Sequence, residues 1–428
     1  MESWKPTTLG ELLKVEHGYA FKGEYFSDVG HYVLLTPGNF YEEGGFKLRP
    51  GKDRYYVGEI PDRYILPKGS MIVAMTEQAE GLLGSPAMMP ESHRFLHNQR
   101  LGLVRPFEKK ADLNFLYYLF NTNLIRQQLR NSSSGAKVRH TSPERIYRAE
   151  VTIPDILTQR KIAAALTAYD DLIETNKRRI TLLEKMAEEL YREWFVRMRF
   201  PGYENANFVK GVPEGWEVRE LGECADVNSS SLGRNDRPEL IHYVDIGAVT
   251  TNHIGDIQTL PLTEAPGRAK RRVQHGDIIW SSVRPANRAY CQIYEPIENL
   301  IVSTGFAVIR PKSETPFTFL NFVVTSNGFV DQMTAVAKGA AYPATSFDDF
   351  EKAKLLWPGE DLLAAFHEYC EPLFHQKHNL TVQNGTLTQT RDLLLPRLIS
   401  GKLSVEDLDI QFPASMQEEA IEPEPAHA

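Results

Sequence analysis

The chain is 428 residues long, 42% hydrophobic and 24% charged, with a formal net charge of -8 at pH 7. That length suits two or more domains with separate cores, and the composition is that of a folded globular protein rather than a fibrous or disordered one. No apolar run approaches the ~18 residues of a membrane helix, the opening Met1–Pro6 starts no secretory signal, and Cys224, Cys291 and Cys370 lie too far apart for a disulfide framework or a zinc pattern. The expectation is a reduced, cytoplasmic protein with no membrane contact. An acidic total is awkward for a nucleic-acid binder, but binding is local. Six Lys/Arg and one acid fall between Arg126 and Arg148, and six and one again between Arg268 and Arg288.

In chain order the elements come twice. Strands are expected at His31–Leu35, Gly69–Ala74 and Gly102–Arg105, where Val, Ile, Leu and Tyr run between Gly, Pro and Asn. A helix near Asp112–Leu129 follows, then a long heptad segment. Strands return at Ile241–Ile246, Asp277–Val283 and Gly305–Ile309, a helix near Thr318–Val336, and a second long segment. Trp4-x4-Leu9-Gly10-Glu11 reappears as Trp216-x4-Leu221-Gly222-Glu223, Leu66–Val73 as Val273–Trp280, Leu103-Val104-Arg105-Pro106 as Val308-Ile309-Arg310-Pro311, and Gly135-Ala136 as Gly339-Ala340. Matches in one order, with an offset falling from 212 to 204, indicate a duplicated unit with small deletions in the second copy. Each copy is α+β.

The first long segment carries a seam at Ile162, Leu166, Tyr169, Ile173, Asn176, Ile180, Leu183, Ala187, Leu190 and Trp194, apolar but for Asn176. Asn176 has the character of a register-setting polar seam residue. The second seam is Phe366, Cys370, Leu373, Lys377, Leu380, Asn384, Leu387, Arg391, Leu394 and Leu398. Its three polar residues weaken it, and Pro372 and Gly385 are expected to kink or fray that helix. A helix could pack only on its own domain, but a heptad period sustained this long calls for a helical partner, and the other copy is the nearest candidate. The expected boundaries are domain 1 at 1–154, helix 1 at 155–200, domain 2 at 201–358, helix 2 at 359–405, and a disordered acidic tail at 406–428 bearing Glu418, Glu419, Glu422 and Glu424.

The junctions are the most distinctive stretches. The first is Gly135-Ala136-x-Val138-x-His140-Thr141-Ser142, then Ile146, Val151-x-Ile153-Pro154 and Gln159-x2-Ile162-Ala163. The second is Gly339-Ala340-x2-Pro343-Ala344-Thr345-Ser346, then Phe350 and Leu356-x-Pro358. With the closing Arg391–Leu403 run, the chain from Trp4 to Leu408 resembles the specificity subunits of type I restriction-modification systems. One departure is Leu363-Ala364-Ala365-Phe366 where the second junction lacks Gln-x2-Ile-Ala.

The resemblance implies two target-recognition domains separated by two long antiparallel coiled-coil helices with pseudo-two-fold symmetry. Each domain would read one half of a split target in double-stranded DNA. The helices would set the spacer and dock two methyltransferase subunits, with restriction subunits in the full complex. S-adenosylmethionine and ATP with magnesium would belong to those partners, and no cofactor to this chain. Base or phosphate contacts are sought at Thr76 and Gln78, at Lys137, Arg139 and His140, at Ser281, Ser282, Arg284, Asn287 and Arg288, and at Lys338 and Tyr342.

Catalytic motifs are missing from the sequence. No proline follows another, so the Pro-Pro-aromatic motif that holds a flipped adenine is absent. Gly18-x4-Gly23 is followed by Glu24 where a phosphate loop has lysine, and His93 and His97 have no third metal ligand nearby. A fused methyltransferase or nuclease is the enzymatic alternative, and a coiled-coil protein scaffold the structural one.

Overall fold

Met71–Ala74 is buried at all four residues, and so is Ile278–Ser281 in the second copy. Strand side chains alternate between faces, and both strands divide accordingly. Met71 and Val73 enter one apolar core while Ile72 and Ala74 enter another. Ile278 and Trp280 likewise part from Ile279. These are central strands covered on both faces, which is why they read as unbroken apolar runs.

The computed structural model describes residues 4–417 apart from 78–80, 136–137, 234, 237 and 341. It contains two units, Met1–Thr175 with Asn384–Ala428, and Asn176–Gln383. In the first unit an antiparallel sheet has the order Leu13–His17, Leu101–Pro106, Met71–Ala74, Pro86–Met88. In the second the order is Ala225–Val227, Phe306–Pro311, Ile278–Ser281, Tyr290–Gln292, the same topology. A second sheet is built in each around one parallel pair, Tyr32–Leu34 with Phe95–Leu96 and Leu240–Val244 with Leu300–Ser303. Each unit is tied off by an early strand pairing with the strand before a long helix: Lys5–Thr8 with Glu150–Ile153, and Glu217–Glu220 with Lys354–Trp357. The expected strands are thus present, and the mixed helix-and-sheet class with them.

Both expected domain helices are in fact two. Leu113–Phe120 stops and Asn123–Ser132 begins, and Phe317–Thr325 gives way to Asn327–Val336. The cause is a cap at each break. Thr122 Oγ1 accepts from Ile125 N at 3.5 Å and Ser326 Oγ from Phe329 N at 3.2 Å.

The long helices are Ile156–Tyr191, closed by a π turn at Arg192–Val196, and Glu360–Ile399. The second runs unbroken through Pro372 and Gly385, against the expectation of fraying. Pro372 and Glu368 both lie on its exposed face, where water can serve the carbonyl that the proline leaves unpaired. Seam positions Ile162, Leu166, Ile173, Asn176, Trp194 and Leu380 are buried. Tyr169, Ile180, Leu183, Leu190, Leu373, Leu387 and Leu394 are half-buried.

Within the first unit, Ile162, Ala163 and Leu166 from one helix and Leu398 and Ile399 from the other share a core with Leu9, Phe115 and Ile146. Arg391 Nη1 meets Asp170 Oδ1 at 2.5 Å, and Asn384 Nδ2 donates to the Ile173 carbonyl at 3.4 Å. Within the second unit, Ala187, Trp194 and Phe195 pack with Leu363, Phe366, Cys370 and Phe374. Lys377 Nζ lies 2.7 Å from Glu184 Oε1, and the wholly buried Asn176 donates from Nδ2 to Gln383 Oε1 at 3.0 Å. Partner numbers rise on one helix as they fall on the other, so the segments run antiparallel in each unit. The three polar residues that weaken the second seam on paper are therefore matched across it. Burial pulls the Arg391 guanidinium down, but Asp170 and Asp392 outweigh it and hold it above its ordinary value.

Two further expectations change. Residues 406–417 are not a free tail. Ile410 and Met416 pack on the first unit's core, Lys161 Nζ donates to the Glu406 carbonyl at 2.6 Å, and Arg160 covers the Phe412 ring at 5.4 Å. Glu418, Glu419, Glu422 and Glu424 lie outside the described residues. At the second junction, Leu363 is fully buried in the place of Gln159. Gln159 is itself internal: its amide donates to the Lys110 and Pro154 carbonyls at 3.0 and 2.9 Å and accepts from Asp112 N at 3.1 Å. That departure exchanges one interior solution for another.

Replacing Asp170 by Ala leaves the half-buried Arg391 with Asp392 alone. The expected loss is about 1–3 kcal/mol, a fall of a few degrees in the melting temperature. The double variant Asp170→Leu with Arg391→Leu should recover most of it, as thermal denaturation will report. His97 supplies a pH signature. Its ring is buried, Nε2 lies 3.0 Å from the Leu101 carbonyl, and burial pushes its pKa down to about 4. The unfolded chain binds this proton more readily, so stability is full above pH ~6.5 and falls as pH drops toward 4, by up to about 3 kcal/mol. His97→Gln should flatten that part of the stability–pH curve relative to the wild type.

Candidate nucleic-acid interface

In the first unit the chain beyond the central strand, Thr76–Glu77, pairs with Arg139–His140. Ser134 and His140 exchange both backbone hydrogen bonds, at 3.0 and 2.8 Å, closing a loop between them. Gly135 turns it at φ +99°, where an added Cβ would sit 2.0 Å from the Val138 carbonyl oxygen. Arg145 Nη1 braces it from outside, donating to Ser134 Oγ at 2.8 Å and to the His140 carbonyl at 3.0 Å. Thr76 Oγ1 is 3.2 Å from His140 Nδ1. The buried Glu77 carboxylate accepts from Leu83 N at 2.8 Å and lies 4.0 Å from Arg139 Nε.

The second unit repeats the device. Val283 bridges to Ala344, and Lys338 and Ala344 exchange backbone bonds at 2.9 Å each. Gly339 turns at φ +108°, with its Cβ position 2.9 Å from the Tyr342 carbonyl oxygen. Thr345 N donates to the Ser282 carbonyl as Thr141 N donates to that of Met75, both at 2.9 Å. Arg284 N donates to the Pro343 carbonyl at 2.7 Å, and the Arg284 guanidinium lies over the Tyr342 ring, 4.5 Å from its centroid. A short turn, Pro285–Asn287, separates Arg284 from Arg288, whose Nη2 donates to Asn327 Oδ1 at 2.7 Å.

The structure thus gathers Thr76, Arg139 and His140 at one loop, and Ser281, Ser282, Arg284, Lys338 and Tyr342 at its counterpart. Gln78 and Lys137 lie outside the described residues. Not all of these side chains are presented. Thr76, Ser281 and Ser282 are buried; Ser281 Oγ donates to the Val283 carbonyl at 2.9 Å and Ser282 Oγ to that of Gly305 at 2.8 Å. They build the loop from inside. His140, Arg284, Asn287, Lys338 and Tyr342 are exposed, while Arg139 and Arg288 are half-exposed.

The two basic runs are also less available than their counts suggest. Arg126 is half-buried with its guanidinium on the carbonyls of Phe120, Gly81 and Glu42, at 2.7, 2.9 and 3.2 Å, and desolvation lowers its pKa to about 10. Arg272 pairs with Asp236 at 3.1 Å, Arg268 with Asp245 at 3.5 Å, and Arg271 lies over the Phe347 ring. Sequence reasoning missed the bracing of the loop by Arg145 and the internal clamp of Arg126, because a basic residue's partner carbonyls leave no mark in composition. Among the described residues no group of three or more His, Cys, Asp or Glu is placed to hold a metal, and no helix is long and apolar enough to cross a membrane.

The glycines yield a test. Gly135→Ala meets both a strained backbone and a close oxygen, for a cost of about 1–3 kcal/mol. Hydrogen exchange should show amide protection lost at Ser134 and His140 and kept through Met71–Ala74. Gly339→Ala, with more room, should do the same to Lys338 and Ala344 more weakly.

Residues 1–185 match the family model described as the type I restriction modification DNA specificity domain. Over 313 residues the chain is 28% identical to the type I restriction enzyme MjaIX specificity subunit of Methanocaldococcus jannaschii, covering 69% of this chain and 70% of that one. It is 26% identical over 182 residues to the HindI specificity subunit of Haemophilus influenzae, covering 42% and 39%. The crystal structure of a type I restriction-modification S subunit from M. genitalium shares the fold, with a TM-score of 0.58 at 15% identity over 92% of this chain and 96% of that one. The duplicated unit has the fold of that S subunit, and in sequence the chain is similar to the specificity subunits of type I restriction-modification systems.

Proposed function

We propose that this chain is the sequence-reading subunit of a type I restriction-modification complex. The loop cluster of each unit binds duplex DNA and reads one half of a split target, by phosphate contacts that position and groove contacts that specify. The observation that carries this reading is the loop built twice on one plan, held by the same backbone bonds, with different exposed side chains on each. A repeated frame with divergent tips suits two recognition surfaces for two different half-sites.

The long helices act in this reading as an antiparallel coiled coil that sets the unread spacer and docks two methyltransferase subunits. At 1.5 Å per residue the 36-residue helix Ile156–Tyr191 is ~54 Å long, longer than one ~34 Å turn of DNA. The chain itself is non-catalytic and acts in the cytoplasm. Methyl transfer with S-adenosylmethionine, and ATP- and magnesium-dependent cleavage by restriction subunits, belong to its partners. The sequence supports this by lacking the motif that holds a flipped adenine.

The test is an exchange of residues 1–154 for the matching part of another specificity subunit, with methylated adenines mapped in DNA from cells that also express the methyltransferase subunit. One half of a split motif should change and the other stay. A change in both halves overturns modular reading. Methylation by the purified chain alone overturns the non-catalytic assignment.

A further inference from the structure

The two loops can be superposed residue by residue through their hydrogen bonds. Thr76 opposite His140 corresponds to Val283 opposite Ala344, and the bond to the Met75 carbonyl corresponds to the one to Ser282. The next position is then Glu77, opposite Arg139, in the first unit and Arg284, opposite Pro343, in the second. At this place the duplicated frame carries opposite charges. Glu77 is buried and turned inward to Leu83 N. Arg284 is exposed, at φ +51°, with its guanidinium on a Tyr342 ring whose residue is 69% exposed.

We infer that Arg284, stacked on Tyr342, reads a guanine in the half-target of the second unit, and that this position is where the two half-sites part. This rests on the DNA-reading assignment above. The geometry has three parts. The backbone of Arg284 is held, since its N–H is bonded to Pro343 and its carbonyl accepts from Asn287 N at 2.9 Å. Its left-handed conformation is one that a non-glycine residue keeps only when its surroundings impose it. Stacking on the ring face restrains the guanidinium plane. A restrained planar fork is the donor that matches the O6 and N7 of guanine in the major groove. A flexible cation for phosphate needs none of this. Tyr342 is a positioning residue for the fork.

The experiment uses the chain assembled with its methyltransferase subunits and a randomised DNA duplex library, with sequence preference read from the bound fraction. The wild type should select a split motif with guanine at one position of the second half. Arg284→Ala should lose about 5- to 150-fold of the preference for that guanine, with the first half unchanged as the internal control for folding. Arg284→Lys, which keeps the charge and loses the fork, should lose the preference too. Tyr342→Ala should weaken it and Tyr342→Phe restore it. Uniformly weaker binding with the same preference in Arg284→Ala and Arg284→Lys would make Arg284 a phosphate contact and overturn the inference. A wild-type complex that selects no sequence would overturn the DNA-reading assignment instead.

Discussion

The pairing of the two long helices is the constraint on which the rest depends. An apolar seam alone does not fix a register, since a slide of one heptad sets apolar residues against apolar residues again. The polar matches do fix it. Displaced by seven residues, Arg391 would lose Asp170 and Lys377 would lose Glu184, each leaving a half-buried cation without its partner across the seam. Such pairs add little stability beyond what apolar residues would give, but breaking one is costly. They act by penalising the wrong registers. Asn176 and Gln383 do so in neutral form, since the buried Asn176 Nδ2 meets Gln383 Oε1 only at one alignment.

The antiparallel course has a consequence for each core. The first unit is completed by the start of one helix and the end of the other, through Ile162, Leu166, Leu398 and Ile399. The second takes the complementary portions, through Ala187, Trp194, Leu363 and Phe366. The first body is therefore built from two separate stretches of chain, while the second is the continuous segment Asn176–Gln383. The first closes only when residues near 400 return to it, which is long-range closure of the kind that slows folding. The interior also tolerates different solutions at matching points. Asp277 forms a buried bidentate pair with Arg310 at 2.9 and 2.8 Å, where the first copy has Ser70 and Arg105. Gln159 and Leu363 are another such exchange.

The duplicated frame was legible in the sequence because burial on both faces leaves unbroken apolar strands, and because Gly135 and Gly339 mark turns that other residues resist. The helix breaks were not, since apolar periodicity continues across Thr122 and Ser326 and hides the caps. The worth of Lys377, Asn384 and Arg391 was hidden as well. Each looks like a flaw in its own helix until its partner, some two hundred residues away, is placed beside it. The loop was legible as a place, not as a surface. Ser281 and Ser282 belong to the pattern but turn their hydroxyls inward, and Arg126 opens a basic run although its guanidinium is spent on carbonyls. Side-chain direction follows from the ladder and from packing, neither of which composition records.

That distinction bears on how one frame can serve two targets. At the position shared by Glu77 and Arg284 the backbone is held by ladder bonds to the opposing strand, so the residue's place is set by groups every amino acid possesses. Its side chain can turn inward, as Glu77 does, or outward over an aromatic ring, as Arg284 does, without disturbing the sheet beneath. On the second loop the Arg284 side chain is exposed, and substitutions of exposed side chains usually shift stability by less than about 0.5 kcal/mol. A seam position such as Arg391 lacks that freedom, because its partner must change with it. The molecule therefore separates its two tasks by residue class: coupled pairs hold the register, and singly held tips carry the difference between the copies.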